Sequence, residues 1–134
     1  MAISAINPIT QKPDISVLNE HIYGYKHGIR PLVLQVESMK DKDFIEKRLQ
    51  RDELNYHLSP APGGRNLNVF FGDKPCVDVI KSFNQPNLSK LNPEQDFILG
   101  VLLGYDKTKQ CERYLKLKEK ETQSQNNNKI NIVA

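Results

Sequence analysis

The sequence has no tryptophan, two cysteines and three histidines in 134 residues. Each shortage excludes a class of protein. Cys76 and Cys111 are too few for a disulfide framework and suit free thiols in a reducing cytoplasm. No C-x2-C or H-x3-H spacing brings either of them into a zinc motif, so neither a metal nor a cofactor is expected. The densest apolar run, Phe97 to Tyr105, is about half of the ~20 residues a membrane helix needs. A basic segment followed by an apolar one is missing at the N-terminus, so no signal peptide is expected and the location should be cytoplasmic. No serine or cysteine has a sequence-evident His/Asp partner, which leaves catalysis without a signature.

Charge of one sign is scarce over most of the chain. Residues 1–106 carry 12 Lys/Arg against 13 Asp/Glu, a net −1, while residues 107–134 carry 7 against 3, a net +4. The overall +3 is therefore local to the C-terminal stretch, and a nucleic-acid footprint spread over the body is absent.

What is present suits an α+β domain with a small mixed three-stranded sheet, helices packed on one face, and one long C-terminal helix. Residues 1–13, with Pro8 and Pro13, read as an irregular leader. The domain spans 14–121, and the Asn/Gln-rich residues 122–134 read as a disordered tail. Asp14 or Ser16 caps a first helix that carries Val17, Leu18, Ile22 and Tyr25 and ends near Gly28. Ile29 to Glu37 is the clearest strand. Lys42 to Leu54 follows as a helix with Phe44, Ile45 and Leu49 on its inner edge, joined by Arg48. Tyr56–Ser59 and Leu67–Gly72 are two further strands, and Pro75 opens the next helix. The strand–helix–strand order predicts a parallel crossover pair, and the PAPGGRN loop predicts a hairpin with positive φ at Gly63 or Gly64.

The organising stretch is Pro93 to Lys120. Asn92 is a good N-cap, Pro93 suits the first helical position, and Glu94 and Asp96 place negative charge in the positive first turn. Gly100 and Gly104, four apart, predict one helix face lying against backbone. Phe70 and Phe71 alternate, so both faces of the sheet carry a large apolar ring. A face left bare predicts a homodimer.

Three blocks, His21–Leu34, Asn68–Cys76 and Asp96–Tyr114, resemble a small bacterial family known as domain of unknown function twenty twenty-three. The resemblance spans about residues 21–115. It implies an α+β fold of cytoplasmic bacterial origin and an association with flavodoxin, but no activity.

Two sites emerge. Cys76 falls in the first turn of a helix after a strand, where backbone N–H groups and the helix dipole favour a thiolate, although Asp73 and Asp78 flank it. That points to a thiol-dependent enzyme, or a redox or metal sensor. The row Lys107, Lys109, Arg113, Lys116, Lys118, Lys120 suits an acidic protein surface, flavodoxin included. Arg65 in the PGGR loop is a further anion contact. The balance of these signals favours a non-catalytic protein-binding module centred on Lys109, Arg113 and Lys116.

Overall fold

The structure is a computed structural model that describes residues 14–133. The expected leader over 1–13, and Ala134, lie outside the described residues. Helix α1 spans Ser16–Lys26, and the Ser16 N–H donates to Asp14 Oδ1 at 3.0 Å, so Asp14 rather than Ser16 serves its start. Strand β1 is Leu32–Ser38, α2 is Lys42–Arg51, β2 is Asn55–Pro60 and β3 is Asn66–Gly72. Helices α3 (Lys74–Phe83), α4 (Pro93–Leu102) and α5 (Lys107–Val133) complete the order. The α+β class, the three strands and a long C-terminal helix are all as the sequence predicts.

The sheet is antiparallel throughout rather than mixed, in the order β1-β3-β2. β1 and β2 do run the same way, but β3 returns through the hairpin and lies between them. The hairpin itself is as expected, with Gly63 and Gly64 both at positive φ. The physical reason is burial. From Leu67 to Gly72 every residue of β3 is buried, and such a continuous run belongs in the centre of a sheet. Gly72 also permits the close strand contact. A Cβ there would collide with the Pro31 carbonyl oxygen and lie 2.9 Å from Leu32 Cα.

Helices cover both faces, not one. Leu18, Ile22, Ile45 and Leu49 from α1 and α2 pack on Val33, Leu67, Val69 and Phe71. On the other face Val77, Ile80, Leu99 and Leu103 cover Leu32 and Phe70. Phe70 and Phe71 do point to opposite faces, and each ring has its own cover. The bare sheet face that a homodimer would use is therefore absent among the described residues.

The single helix expected over Pro93–Lys120 is two. Gly104 takes φ +82°, a left-handed conformation that ends α4, with the Gly104 N–H bonded to Val101 O at 3.0 Å. Asp106 then starts α5 by accepting the Lys109 N–H at 2.9 Å. Gly100 and Gly104 do not share one face on backbone. Gly100 lies against the side chain of Gln110 in α5, and a Cβ at Gly104 would meet only Arg30 Cβ, at 3.8 Å. At the C-terminal end α5 continues helically to Val133, through residues expected to be disordered.

Candidate functional site

The α4–α5 hairpin carries the basic row. Asn92 and Gln95 cap α4 reciprocally, each side chain accepting the other's backbone N–H, at 2.8 and 3.1 Å. That fixes Glu94 and Asp96 in its first turn, and α5 folds back so that its cations reach them. Arg113 grips Asp96 with both ends of its fork, Nε at 2.8 Å and Nη2 at 3.0 Å. Lys118 Nζ sits 3.0 Å from Glu94 and 3.6 Å from Glu121. The Lys118 bond holds the Glu94 carboxyl below its ordinary range, and the Asp96 bond raises the Arg113 guanidinium further above its own. Phe97 and Tyr114 pack across the hairpin with their rings tilted at 57°, centroids 5.6 Å apart.

These bridges divide the row by role. Arg113 and Lys118 hold the hairpin together. Lys109, Lys116 and Lys120 make no ion pair among the described residues. At spacings of four, three and four, 109, 113, 116 and 120 share one flank of α5. The adjoining stripe, Gln110, Tyr114, Leu117, Lys118 and Glu121, is half-buried on the hairpin's inner side.

Beside the Arg113 flank is a cleft of about 280 Å³. Leu34 of β1 lies under it, Asp96, Gly100 and Leu103 form one wall, and Tyr105, Gln110 and Arg113 another. Tyr105 is 54% exposed and Val36, two residues along β1 from Leu34, is 58% exposed. Sequence reasoning missed this cleft, because it exists only once the helix has broken and folded back. Asp106 following Gly104, a helix start directly after a stop, is the signal that could have revealed it.

Arg65 stands apart. It is exposed on the β2–β3 loop, its carbonyl takes the Met39 N–H at 3.0 Å, and no hydrogen bond or ion pair among the described residues joins it to the α5 row.

Cys76 is half-buried in the first turn of α3, against the core of Leu32, Phe70 and Val77. Burial first, and then the Asp73 carboxylate, push its thiol above the ordinary value, opposite to the thiolate its helix position suggests. Asp73 also accepts the Tyr25 hydroxyl at 2.7 Å, and Tyr25 is pushed up to about 12 by burial and by that acid. Cys111 is exposed on α5. Among the described residues no three of His, Cys, Asp and Glu stand together as a metal-binding group, and no helix is long and apolar enough to cross a membrane.

The family model for the proteins of unknown function DUF2023 matches residues 16–117, from the first turn of α1 into α5. The chain belongs to that family. No curated protein matches it. The matched span holds the whole sheet, the α4–α5 hairpin and both cysteines, and stops before Lys118.

Proposed function

We propose that this DUF2023 protein is a non-catalytic binding module that docks an acidic protein through the Lys109–Lys116–Lys120 flank of α5. One observation carries the reading. Three lysines on one exposed flank make no ion pair among the described residues, while their neighbours Arg113 and Lys118 are consumed within the hairpin. The rest of the chain supports it, because residues 1–106 are net −1 and make the molecule a dipole with its positive end on α5. Such a dipole steers an acidic partner and loses the advantage as salt screens it. Flavodoxins are acidic, and the resemblance noted in the sequence makes a flavodoxin-like redox protein the first partner to try. The rival, a thiol-dependent enzyme or sensor built on Cys76, has a half-buried thiol with a raised pKa against it.

Titration of a flavodoxin into the full chain at low salt tests the docking. Binding should weaken between low and physiological ionic strength, and K109E/K116E/K120E should abolish it while leaving the melting temperature near that of the parent. No binding at ~0.1 mM of each protein would reject this partner, since transient redox encounters fall within that range. Binding indifferent to the triple reversal would move the site away from α5.

A further inference from the structure

The two edges of the sheet are finished differently. In the β2–β3 pair the Ala61 N–H donates to Asn66 O at 2.9 Å, which fixes residues 55, 57 and 59 as those bonded to β3. Tyr56, Leu58 and Pro60 then turn their backbone groups outward, and Pro60 has no N–H to offer, a normal way to close an edge. In the β1–β3 pair the Asp73 N–H donates to Pro31 O at 2.9 Å and the Met39 N–H to Arg65 O at 3.0 Å. Those two bonds bracket the strand, so Val33, Gln35 and Glu37 bond to β3 while Leu32, Leu34, Val36 and Ser38 turn their N–H and C=O groups away. The Ser38 C=O turns into the 3-10 turn Met39–Asp41, and among the described residues nothing hydrogen-bonds the outward groups of Leu32, Leu34 and Val36. β1 is seven residues long, without proline or lysine, and its Val36 is exposed. Edges of this kind are either docking sites or aggregation sites.

The surroundings select the occupant. The cleft over Leu34 opens beside this edge, and its α5 wall includes Arg113, so Lys109 and Lys116 on the same flank stand on the edge side. A second copy pairing β1 with β1 about a two-fold axis would bring two such basic rows onto the same face and oppose them. An acidic strand would be drawn in.

We propose that the outer edge of β1 accepts an extended segment of an acidic protein as a fourth strand. The inference rests on the docking reading above and supplies its geometry. Side chains alternate across a strand, so every second residue of the segment lies on the α4–α5 side, where acids would meet the lysines beyond the apolar cleft over Leu34. On the α1 face the same strand meets Glu37 beside buried Gln35, so acids are disfavoured there.

The test uses the full chain and a fluorescent synthetic peptide alternating glutamate with threonine. Its control carries N-methyl groups on the residues whose N–H would face β1, which removes main-chain pairing without changing charge. The parent peptide should bind at low salt, and the methylated one about tenfold more weakly or worse, as expected for losing more than one main-chain hydrogen bond. Val36→Pro should weaken the parent peptide similarly, since the Val36 N–H has no internal partner, and the methylated peptide decides the matter should that variant fold poorly. Equal binding of the two peptides overturns strand addition. So does a flavodoxin that binds in a K109E/K116E-sensitive way while the peptide does not and Val36→Pro changes nothing, a result that leaves the docking reading standing. Failure of both flavodoxin and peptide removes both. Peptide binding that appears only after residues 1–13 are deleted would make that segment the occupant, and a dimer dissolved by Val36→Pro would make it a second copy. Either result overturns the acidic partner.

Discussion

The two faces of the sheet are covered by helix pairs of similar length, yet they are finished differently. On the α1–α2 face the polar side chains around the core satisfy one another. Arg48 reaches Asp52 at 2.7 Å and also bonds Asn19, Lys26 stands 3.6 Å from Asp52, and the Tyr56 hydroxyl donates to Glu46 at 2.9 Å. His21 Nδ1 lies 2.8 Å from the buried Gln35. On the α3–α4 face a cleft of about 250 Å³ reaches His57 and Phe70, and another of about 280 Å³ reaches Leu34. Clefts beside Tyr25 and beside Tyr56 reach only the rim of the α1–α2 core, while those on the α3–α4 face reach apolar surface beside an open edge and a basic helix. The lesson is that stability and recognition here belong to opposite sides of one three-stranded sheet.

The largest effects should break that comparison if it is wrong. Phe71 and Phe70 are equally buried neighbours that differ only in the face they serve. Phe→Ala in a core costs ~3–5 kcal/mol, and the value depends on how far the site relaxes or admits water. Phe71→Ala, on the α1–α2 face, should fall near the top of that range. Phe70→Ala, beside the His57 cleft, should fall near the bottom. Urea unfolding of both variants checks this, and equal losses would mean the α3–α4 face is as tightly closed as the other. Next comes Gly72→Ala, where the obstacle is backbone on the neighbouring strand and cannot swing aside. Overpacking of this kind costs ~1–3 kcal/mol, read from the same urea midpoints.

Much of this fold was legible in the sequence, and the failures have a common cause. Periodicity placed Leu18 and Ile22 of α1 in the interior, although Val17 is exposed, and Ile45 and Leu49 of α2 are fully buried as their spacing requires. The alternation of Phe70 and Phe71 already implied two covered faces. Taking one face as bare ignored that implication. Strand order was not legible, because hydrophobic pattern says which residues are buried but not which strand sits between which. The break at Gly104 was hidden by apolar residues on both sides of it. Local turn chemistry overrode helix periodicity there, and the hairpin that presents the lysines follows from that one residue. Nothing in the pattern distinguishes Lys118, which bridges to Glu94, from Lys116, which does not, until α5 has folded back.

Acid should act on the two faces in sequence, which sharpens the comparison. His57, against Phe70, is held below its ordinary 6.5 by burial first and by Lys81 second. The unfolded chain therefore takes up that proton first, and stability should decline as pH falls below ~6.5. Asp52, on the other face, is held below its ordinary value chiefly by the Arg48 hydrogen bond. Its contribution is present above ~3.9 and is lost only as pH falls through the lower folded value. Stability followed against pH should show two declines. His57→Asn should remove the one near neutrality, and Asp52→Asn should shrink the acidic one, to which Asp78 and Glu94 also contribute. A single decline untouched by His57→Asn would contradict the burial assigned to that histidine.

The smallest effects belong to the hairpin, where Gly100 and Gly104 should respond oppositely to alanine. At Gly104 there is room, but φ is +82°, so a side chain there is strained even in open space. Gly104→Ala should cost about 1 kcal/mol. At Gly100 the backbone is helical, and alanine gains ~1 kcal/mol of helix propensity over glycine. The new Cβ would meet the far end of the Gln110 side chain, a flexible group that can turn away. Gain and displacement should nearly cancel, leaving a change within about 0.5 kcal/mol. The displacement has a separate readout. Gln110 lines the cleft with Arg113, so amide shifts at residues 96, 110 and 113 should move in Gly100→Ala although the melting temperature does not. A loss of ~2 kcal/mol or more would mean that Gln110 cannot yield and that the hairpin is as closely packed as the α1–α2 face. The cleft would then be too rigid to adapt to a partner.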